Sequence, residues 1–230
     1  MNKLLITASL TALIAVAAPV VAEETSPRTV IGVDISGTST FLVDQTSADA
    51  AGALVENYIK GLGHPHRLRL ISVGDAGLGR RAIDVSATVT NRRASSARRL
   101  APEFGGHLRS LPALVERGVL VPQNTTSLIE FLRSLESICA GGNATAIIFS
   151  DGLEWSSVVD GRAFAAGKIG LPKPERPFLA GCHVKLLGVG QVKSELESGG
   201  LAERLIPLWR DYLSAAGADP VVVIGSGFSL

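Results

Sequence analysis

Oxygen-bearing side chains follow predicted strands or precede a predicted helix at three places in the sequence. The first cluster is Asp34-Ile35-Ser36-Gly37-Thr38, the second is Ser150-Asp151-Gly152, and the third is Gln123–Thr126. Alternate residues of an extended turn can face one ion, so the first cluster offers one carboxylate and two hydroxyls to a hard cation such as Mg²⁺. Each cluster taken alone is equally explained as a helix cap or a turn.

The elements that must position these clusters alternate between strand and helix patterns. The chain has 230 residues, 46% hydrophobic, and its apolar runs are rich in Val, Ile and Leu, as expected for strands buried on both faces. The predicted strands are Thr29–Ile35, Arg67–Val73, Arg81–Thr90, Thr145–Ser150, His183–Val189 and Pro220–Ile224. The predicted helices are Ala48–Leu62, Thr126–Cys139, Leu201–Ala216 and a segment Ser95–Gly118 broken at Gly105-Gly106 and Pro112.

This alternation predicts an α/β fold with three layers, in which helices cover both faces of a doubly wound sheet. The sheet is expected to be mainly parallel, with the alternating segment Arg81–Thr90 as one antiparallel edge strand. Ligands of such sheets bind beyond the carboxyl ends of the strands. All three polar clusters are therefore expected at the same edge of the sheet.

Four segments together resemble the von Willebrand factor type A family. The run VIGVDISGTS resembles the first strand and the Asp-x-Ser-x-Ser metal-ion-dependent adhesion site of that family, and IIFSDG resembles its fourth strand. QNTTSLIEFL resembles the loop that carries a threonine ligand before a helix, and KLLGVG resembles the next strand. The order of elements also matches, and the resemblance extends from about Thr29 to Ile224.

The resemblance implies a metal site and a binding function. It assigns Asp34, Ser36, Thr38, Thr125 and Asp151 as ligands of Mg²⁺, or of Mn²⁺ or Ca²⁺. Thr126 is the competing register for the threonine ligand, and Ser39 is the alternative to Thr38. The implied function is an exported adhesion or assembly module that captures an exposed acidic side chain of a protein partner through the ion, without catalysing a reaction.

Two other functions compete with this reading. The first is a structural or envelope-assembly protein of the same fold without a working metal site. The second is an actin-like phosphotransferase, because Gly32–Thr40 also resembles a phosphate loop of the pattern GxDxGGTxT. Ser36 stands in place of the first glycine of that Gly-Gly pair, a helix rather than a second strand is predicted to follow, and the chain has no room for a second domain, so this alternative is disfavoured.

The first 22 residues read as a secretory signal peptide, and residues 23–230 as the vWA-like domain. Lys3 precedes an apolar run from Leu4 to Val21, and Val20 and Ala22 form a small-residue cleavage site. The alternative is an uncleaved membrane anchor. Cleavage removes Lys3, so that 21 Lys and Arg balance 21 Asp and Glu and the remaining chain is formally neutral. Net charge therefore gives no reason to expect nucleic acid or a membrane as partner. A periplasmic or secreted location is expected.

Two weaker signals concern cysteine and tryptophan. Export places Cys139 and Cys182 where a disulfide persists, and a bridge between them is the simplest outcome, with two unpaired buried thiols as the alternative. Trp155 follows Asp151 by four residues, in the loop beyond the predicted metal edge. It is read either as an exposed anchor for a partner or as packing beneath that loop.

Overall fold

The computed structural model describes residues 26–74, 82–193 and 200–226. The predicted signal peptide, residues 1–22, lies outside the described residues and stays a prediction. Among the described residues, no helix is both long enough and apolar enough to cross a membrane.

Six strands form one sheet with the order β3-β2-β1-β4-β5-β6. All neighbouring pairs are parallel except β2 and β3, which are antiparallel at the edge. The predicted fold class is therefore confirmed, including its antiparallel edge strand. The strands are β1 (Arg28–Asp34), β2 (His66–Val73), β3 (Asp84–Val89), β4 (Ala144–Phe149), β5 (Cys182–Leu187) and β6 (Val221–Ile224).

Helices cover both faces of this sheet. They are α1 (Gln45–Lys60), α2 (Ala97–Arg109), α3 (Leu111–Glu116), α4 (Leu128–Ser134), α5 (Glu136–Cys139), α6 (Gly161–Ala165) and α7 (Leu201–Ala215). One apolar cluster joins α1 and α2 to one face of the sheet, and a second joins α4 and α7 to the other. The strand β1 is buried from Thr29 to Asp34 because it lies between β2 and β4 and is covered on both faces.

The predicted break at Gly105-Gly106 is wrong, because α2 continues through both glycines. Gly105 lies against α1, where a Cβ atom would come within 2.7 Å of the carbonyl oxygen of Gly52. A Cβ on Gly52 would in turn lie 2.7 Å from the carbonyl oxygen of Gly105. Gly52 and Gly105 therefore allow the close approach of α1 and α2. The helix α2 ends at Arg109, and Ser110 separates it from α3.

The predicted disulfide between Cys139 and Cys182 is confirmed. It joins the last residue of α5 to the first residue of β5. The Cα atoms of the two cysteines lie 4.9 Å apart, and both residues are buried. The bridge lies at the amino ends of the strands, so it braces the end of the sheet opposite the predicted metal edge.

Candidate metal centre

The site lies where the strand order reverses, between β1 and β4. From β1 the chain moves outward to β2 and β3, whereas β4, β5 and β6 lie on the other side. Val33 pairs with Phe149, so Asp34 at the end of β1 stands beside Ser150, which directly follows β4. Ligands of open α/β sheets bind at this type of switch point.

Asp34 is fully buried and is held by hydrogen bonds from both sides. The Ser36 backbone N–H donates to its Oδ1 over 2.8 Å, and the Ser150 hydroxyl donates to its Oδ2 over 2.6 Å. Burial raises the pKa of Asp34, and hydrogen bonds from Ser150, Ser36 and Thr126 partly oppose the increase. These donors fix the orientation of the carboxylate without supplying a positive charge.

Asp151 is the second buried carboxylate, and it is less well satisfied. Its Oδ1 accepts a hydrogen bond from the Leu153 backbone N–H over 2.8 Å, whereas its Oδ2 is buried without a hydrogen-bond partner. Burial, followed by the negative charge of Asp34, raises the pKa of Asp151 to about 7, and the Thr38 hydroxyl acts in the opposite direction. Two buried carboxylates thus share one site.

Two hydroxyls complete the first cluster as its spacing predicts. The Oγ of Ser36 lies 3.1 Å from the Oγ1 of Thr38. The Ser36 side chain acts to lower the pKa of Asp34, and the Thr38 side chain acts to lower the pKa of Asp151. The alternating Asp-x-Ser-x-Thr spacing therefore places both hydroxyls with the carboxylates. The hydroxyl of Ser39, the alternative ligand, is buried without a hydrogen-bond partner.

The third cluster reaches the site through Thr126, the competing register. The side chain of Thr126 is buried, lines the cavity beside Ser36 and Thr38, and acts to lower the pKa of Asp34. Its backbone pairs with Trp155, with hydrogen bonds of 3.2 Å and 2.9 Å. Thr125 is half-buried. This geometry favours Thr126 as the threonine ligand.

Backbone hydrogen bonds tie the loop 123–126 to the first cluster. The Gly37 N–H donates to the carbonyl of Gln123 over 2.7 Å, and the Gln123 N–H donates to the carbonyl of Ile35 over 2.8 Å. These bonds extend the sheet by one short parallel bridge beyond the end of β1. The first and third polar clusters, far apart in sequence, are thereby joined by main-chain contacts.

Glu154 is a buried carboxylate near the site that the sequence did not indicate. Its side chain is fully buried, and its Oε2 accepts a hydrogen bond of 3.1 Å from the Ile129 N–H in the first turn of α4. Its Oε1 is buried without a hydrogen-bond partner. Burial raises the pKa of Glu154 to about 7. A single Glu three residues after Asp151 has no spacing that marks it as functional, so only the fold shows its position.

A cavity of about 470 Å³ opens beside these loops. Its wall includes Ser36, Thr38 and Thr126 of the first and third polar clusters together with a more apolar side. Glu154, Trp155 and Arg162 also line it, as do the apolar residues Leu153, Val192 and Leu201. Ligand sites commonly have volumes of about 300–1,000 Å³ and combine apolar walls with a few polar groups, as this cavity does.

The donor set fits a hard divalent cation such as Mg²⁺. Asp34 and Asp151 supply carboxylate oxygens, and Ser36, Thr38 and Thr126 supply hydroxyls, all ligand types that Mg²⁺ and Ca²⁺ accept. The unpartnered Oδ2 of Asp151 and the two uncompensated carboxylates match a site that needs positive charge. No group of three or more His, Cys, Asp and Glu that could hold a metal occurs within residues 26–74, 82–193 and 200–226, so the fit depends on hydroxyl ligands.

Comparisons with known proteins give distant structural likenesses only. No family model matches the chain, and no curated protein matches it. An aerotolerance-related membrane protein from Bacteroides fragilis NCTC 9343, with multiple mutations to serines, is 12% identical, with 88% of this chain and 92% of that chain covered and a TM-score of 0.45. The protein BatB from Bacteroides thetaiotaomicron is 16% identical, with 86% and 90% covered and a TM-score of 0.43.

A third likeness covers only part of the chain. The pilus adhesin SpaC from Lactobacillus rhamnosus GG, in an open conformation, is 20% identical, with 56% of this chain and 15% of that chain covered and a TM-score of 0.31. None of these likenesses assigns a family or a function, so the resemblance to the von Willebrand factor type A family stays a prediction from sequence motifs.

Proposed function

We propose that this protein is an exported binding module of the von Willebrand factor type A kind that captures an acidic side chain of a protein partner through a divalent cation. The cation would be held by Asp34, Ser36, Thr38, Thr126 and Asp151. Thr126 replaces Thr125 in this set because its side chain is buried and lines the cavity beside Ser36 and Thr38. No chemical reaction is part of the proposal.

The burial of two carboxylates side by side in one site is the observation that carries the proposal. The charge of Asp34 contributes to raising the pKa of Asp151, so the two carboxylates repel each other. None of the salt bridges found in the described part of the chain involves either of them. Burying an uncompensated charge is costly, and a bound cation removes that cost.

The mixture of ligands explains why the partner group would be acidic. Ser36, Thr38 and Thr126 are uncharged ligands, so they add no negative charge to that of the two carboxylates around a divalent ion. When bound, the ion supplies electrostatic attraction for a carboxylate oxygen. Asp34 and Asp151 hold the site in place, and the half-buried Thr38 marks the side that faces the cavity.

Calorimetric titration of the purified exported protein with MgCl₂ tests the ion site. Wild type should show saturable binding at one site per chain, which Asp34→Ala should abolish. Asp211→Asn removes an exposed carboxylate on α7 and should leave binding intact. Absence of binding by wild type, or equal binding by Asp34→Ala, would refute the proposal.

Retention of cell-envelope proteins on the immobilised protein tests the binding function. Retention should depend on Mg²⁺, should be lost in EDTA and should be absent with Asp34→Ala. Retention that persists unchanged in EDTA would instead support the structural role without a working metal site.

A further inference from the structure

One oxygen of the Glu154 carboxylate has a structural role, and the other has none. Its Oε2 caps α4 by accepting from the Ile129 N–H. Its Oε1 is buried without a hydrogen-bond partner, although the residue lies in the wall of the cavity beside the metal ligands. An unsatisfied buried acceptor is costly, so its persistence in a cavity wall points to a donor that arrives with a ligand.

Glu154 is buried and no salt bridge to it is found among the described residues, which favours a cationic donor. Glu130 lies near enough to raise the pKa of Glu154 further, beyond the effect of burial, while the Ser156 hydroxyl and the Ile129 and Leu128 N–H groups oppose the increase. Arg162 lines the same cavity, yet no salt bridge between it and Glu154 is found within the described residues. A buried carboxylate is stabilised most by an opposite charge that also donates a hydrogen bond.

The remaining walls suit the carbon chain of a basic residue. Leu153, Val192 and Leu201 supply apolar surface, and Trp155 supplies an indole that is 44% exposed. Lysine and arginine bury their methylene groups against such surfaces while the charged head reaches a polar partner. An indole face adds an attraction for the cation.

We propose that the cavity receives a lysine or arginine side chain of the same partner whose acidic group binds the ion, with the basic head directed to Oε1 of Glu154. The pairing with an acidic group rests on the proposed function, whereas binding of the basic side chain in the cavity does not. The partner surface would then present one acidic and one basic side chain close together.

Main-chain contacts place the two recognition groups side by side. The backbone of Trp155 pairs with that of Thr126, so the cavity wall and a metal ligand share one bridge. Glu154 in addition caps the helix that follows Thr126. Movement of the loop that carries Thr126 would therefore displace the loop that carries Trp155. The ion and the basic side chain would then be recognised together.

Binding of n-butylammonium, which matches the end of a lysine side chain, tests the cavity without the metal. The titration is performed in EDTA and followed by the NMR signal of the Trp155 indole N–H, assigned with Trp155→Phe. Because Oε1 is covered in the free protein, we expect dissociation constants in the millimolar range, on the order of those of small fragments. Neutral n-pentanol, of similar size, should bind at least about fivefold more weakly, since it lacks the charge-assisted hydrogen bond.

The variant Glu154→Gln keeps an acceptor for Ile129 but removes the charge, and it should weaken n-butylammonium binding about fivefold. Glu130→Gln removes a neighbouring charge outside the cavity lining and should retain at least half of the affinity. Equal binding of n-pentanol and n-butylammonium by wild type would overturn the proposal without any variant. So would unchanged n-butylammonium binding by folded Glu154→Gln. Since no Mg²⁺ is present, these outcomes are independent of whether the ion site works.

Discussion

Replacing Asp151 by Asn should stabilise the metal-free protein at neutral and alkaline pH. Asp151 is buried beside Asp34, and its pKa is raised from an ordinary value of 3.8 to about 7. A raised carboxyl pKa means that the folded protein disfavours the charged form. The resulting destabilisation is absent below the unfolded pKa, grows as the pH rises from 3.8 to about 7, and is then constant.

The size of this effect follows from the two pKa values. Between pH 5 and pH 8 the difference in proton binding costs wild type about 2–3 kcal/mol of unfolding free energy, at 1.36 kcal/mol per pKa unit. With a urea m-value of about 2 kcal/mol/M, the midpoint should fall by about 1 M over this range. Burial also raises the pKa of Asp34 and of Glu154, so the wild-type loss includes their contributions and only its difference from Asp151→Asn reports on Asp151.

Urea unfolding in EDTA at pH 5 and pH 8 measures this difference. The loss between the two pH values should be smaller in Asp151→Asn by about 2–3 kcal/mol, whereas Asp211→Asn should behave like wild type. Addition of Mg²⁺ at pH 8 should restore much of the lost stability in wild type but not in Asp151→Asn. If wild type and Asp151→Asn lose equal stability from pH 5 to pH 8, burial and the charge of Asp34 do not raise the pKa of Asp151 as described.

Two further predictions concern the threonine ligand and the disulfide. Thr126→Val should weaken Mg²⁺ binding at least about tenfold by calorimetry, because one metal ligand is worth more than 1.4 kcal/mol. Thr125→Val should leave it within about twofold, and the opposite ranking would restore Thr125 as the ligand. Removing the bridge with Cys139→Ser and Cys182→Ser should lower the unfolding free energy by about 4 kcal/mol, as loop entropy gives for a separation of 43 residues. A loss under about 1 kcal/mol in urea would contradict this.

The architecture was predictable because its signals are redundant. Buried strands such as β1 appear in the sequence as continuous β-branched runs. The helical pattern predicts a helix over Leu201–Ala216, and the observed helix α7 ends one residue earlier, at Ala215. Parallel strands separated by helices leave few topologies, and these bring Asp34 and Asp151 to one edge. The positions of these two carboxylates therefore followed from sequence and topology together.

Details that depend on side-chain contacts were not predictable. Gly105-Gly106 has the composition of a helix break, but the contact of Gly105 with α1 overrides that local preference. Thr125 and Thr126 are identical in type and adjacent, so only the fold distinguishes them, through the pairing of Thr126 with Trp155 and the burial of its side chain. The burial of Glu154 arises from a fold in which the loop after β4 packs against the start of α4, a contact between segments distant in sequence.

A structure determined with Mn²⁺ bound tests the central claim most directly, because anomalous scattering locates the ion independently of the protein atoms. One strong anomalous peak is expected at the position surrounded by the five proposed ligands, Asp34, Ser36, Thr38, Thr126 and Asp151. The crystals must be grown in saturating Mn²⁺, with the loop Asp34–Thr38 open to solvent. The absence of an anomalous peak at this position would then contradict the proposed ion site.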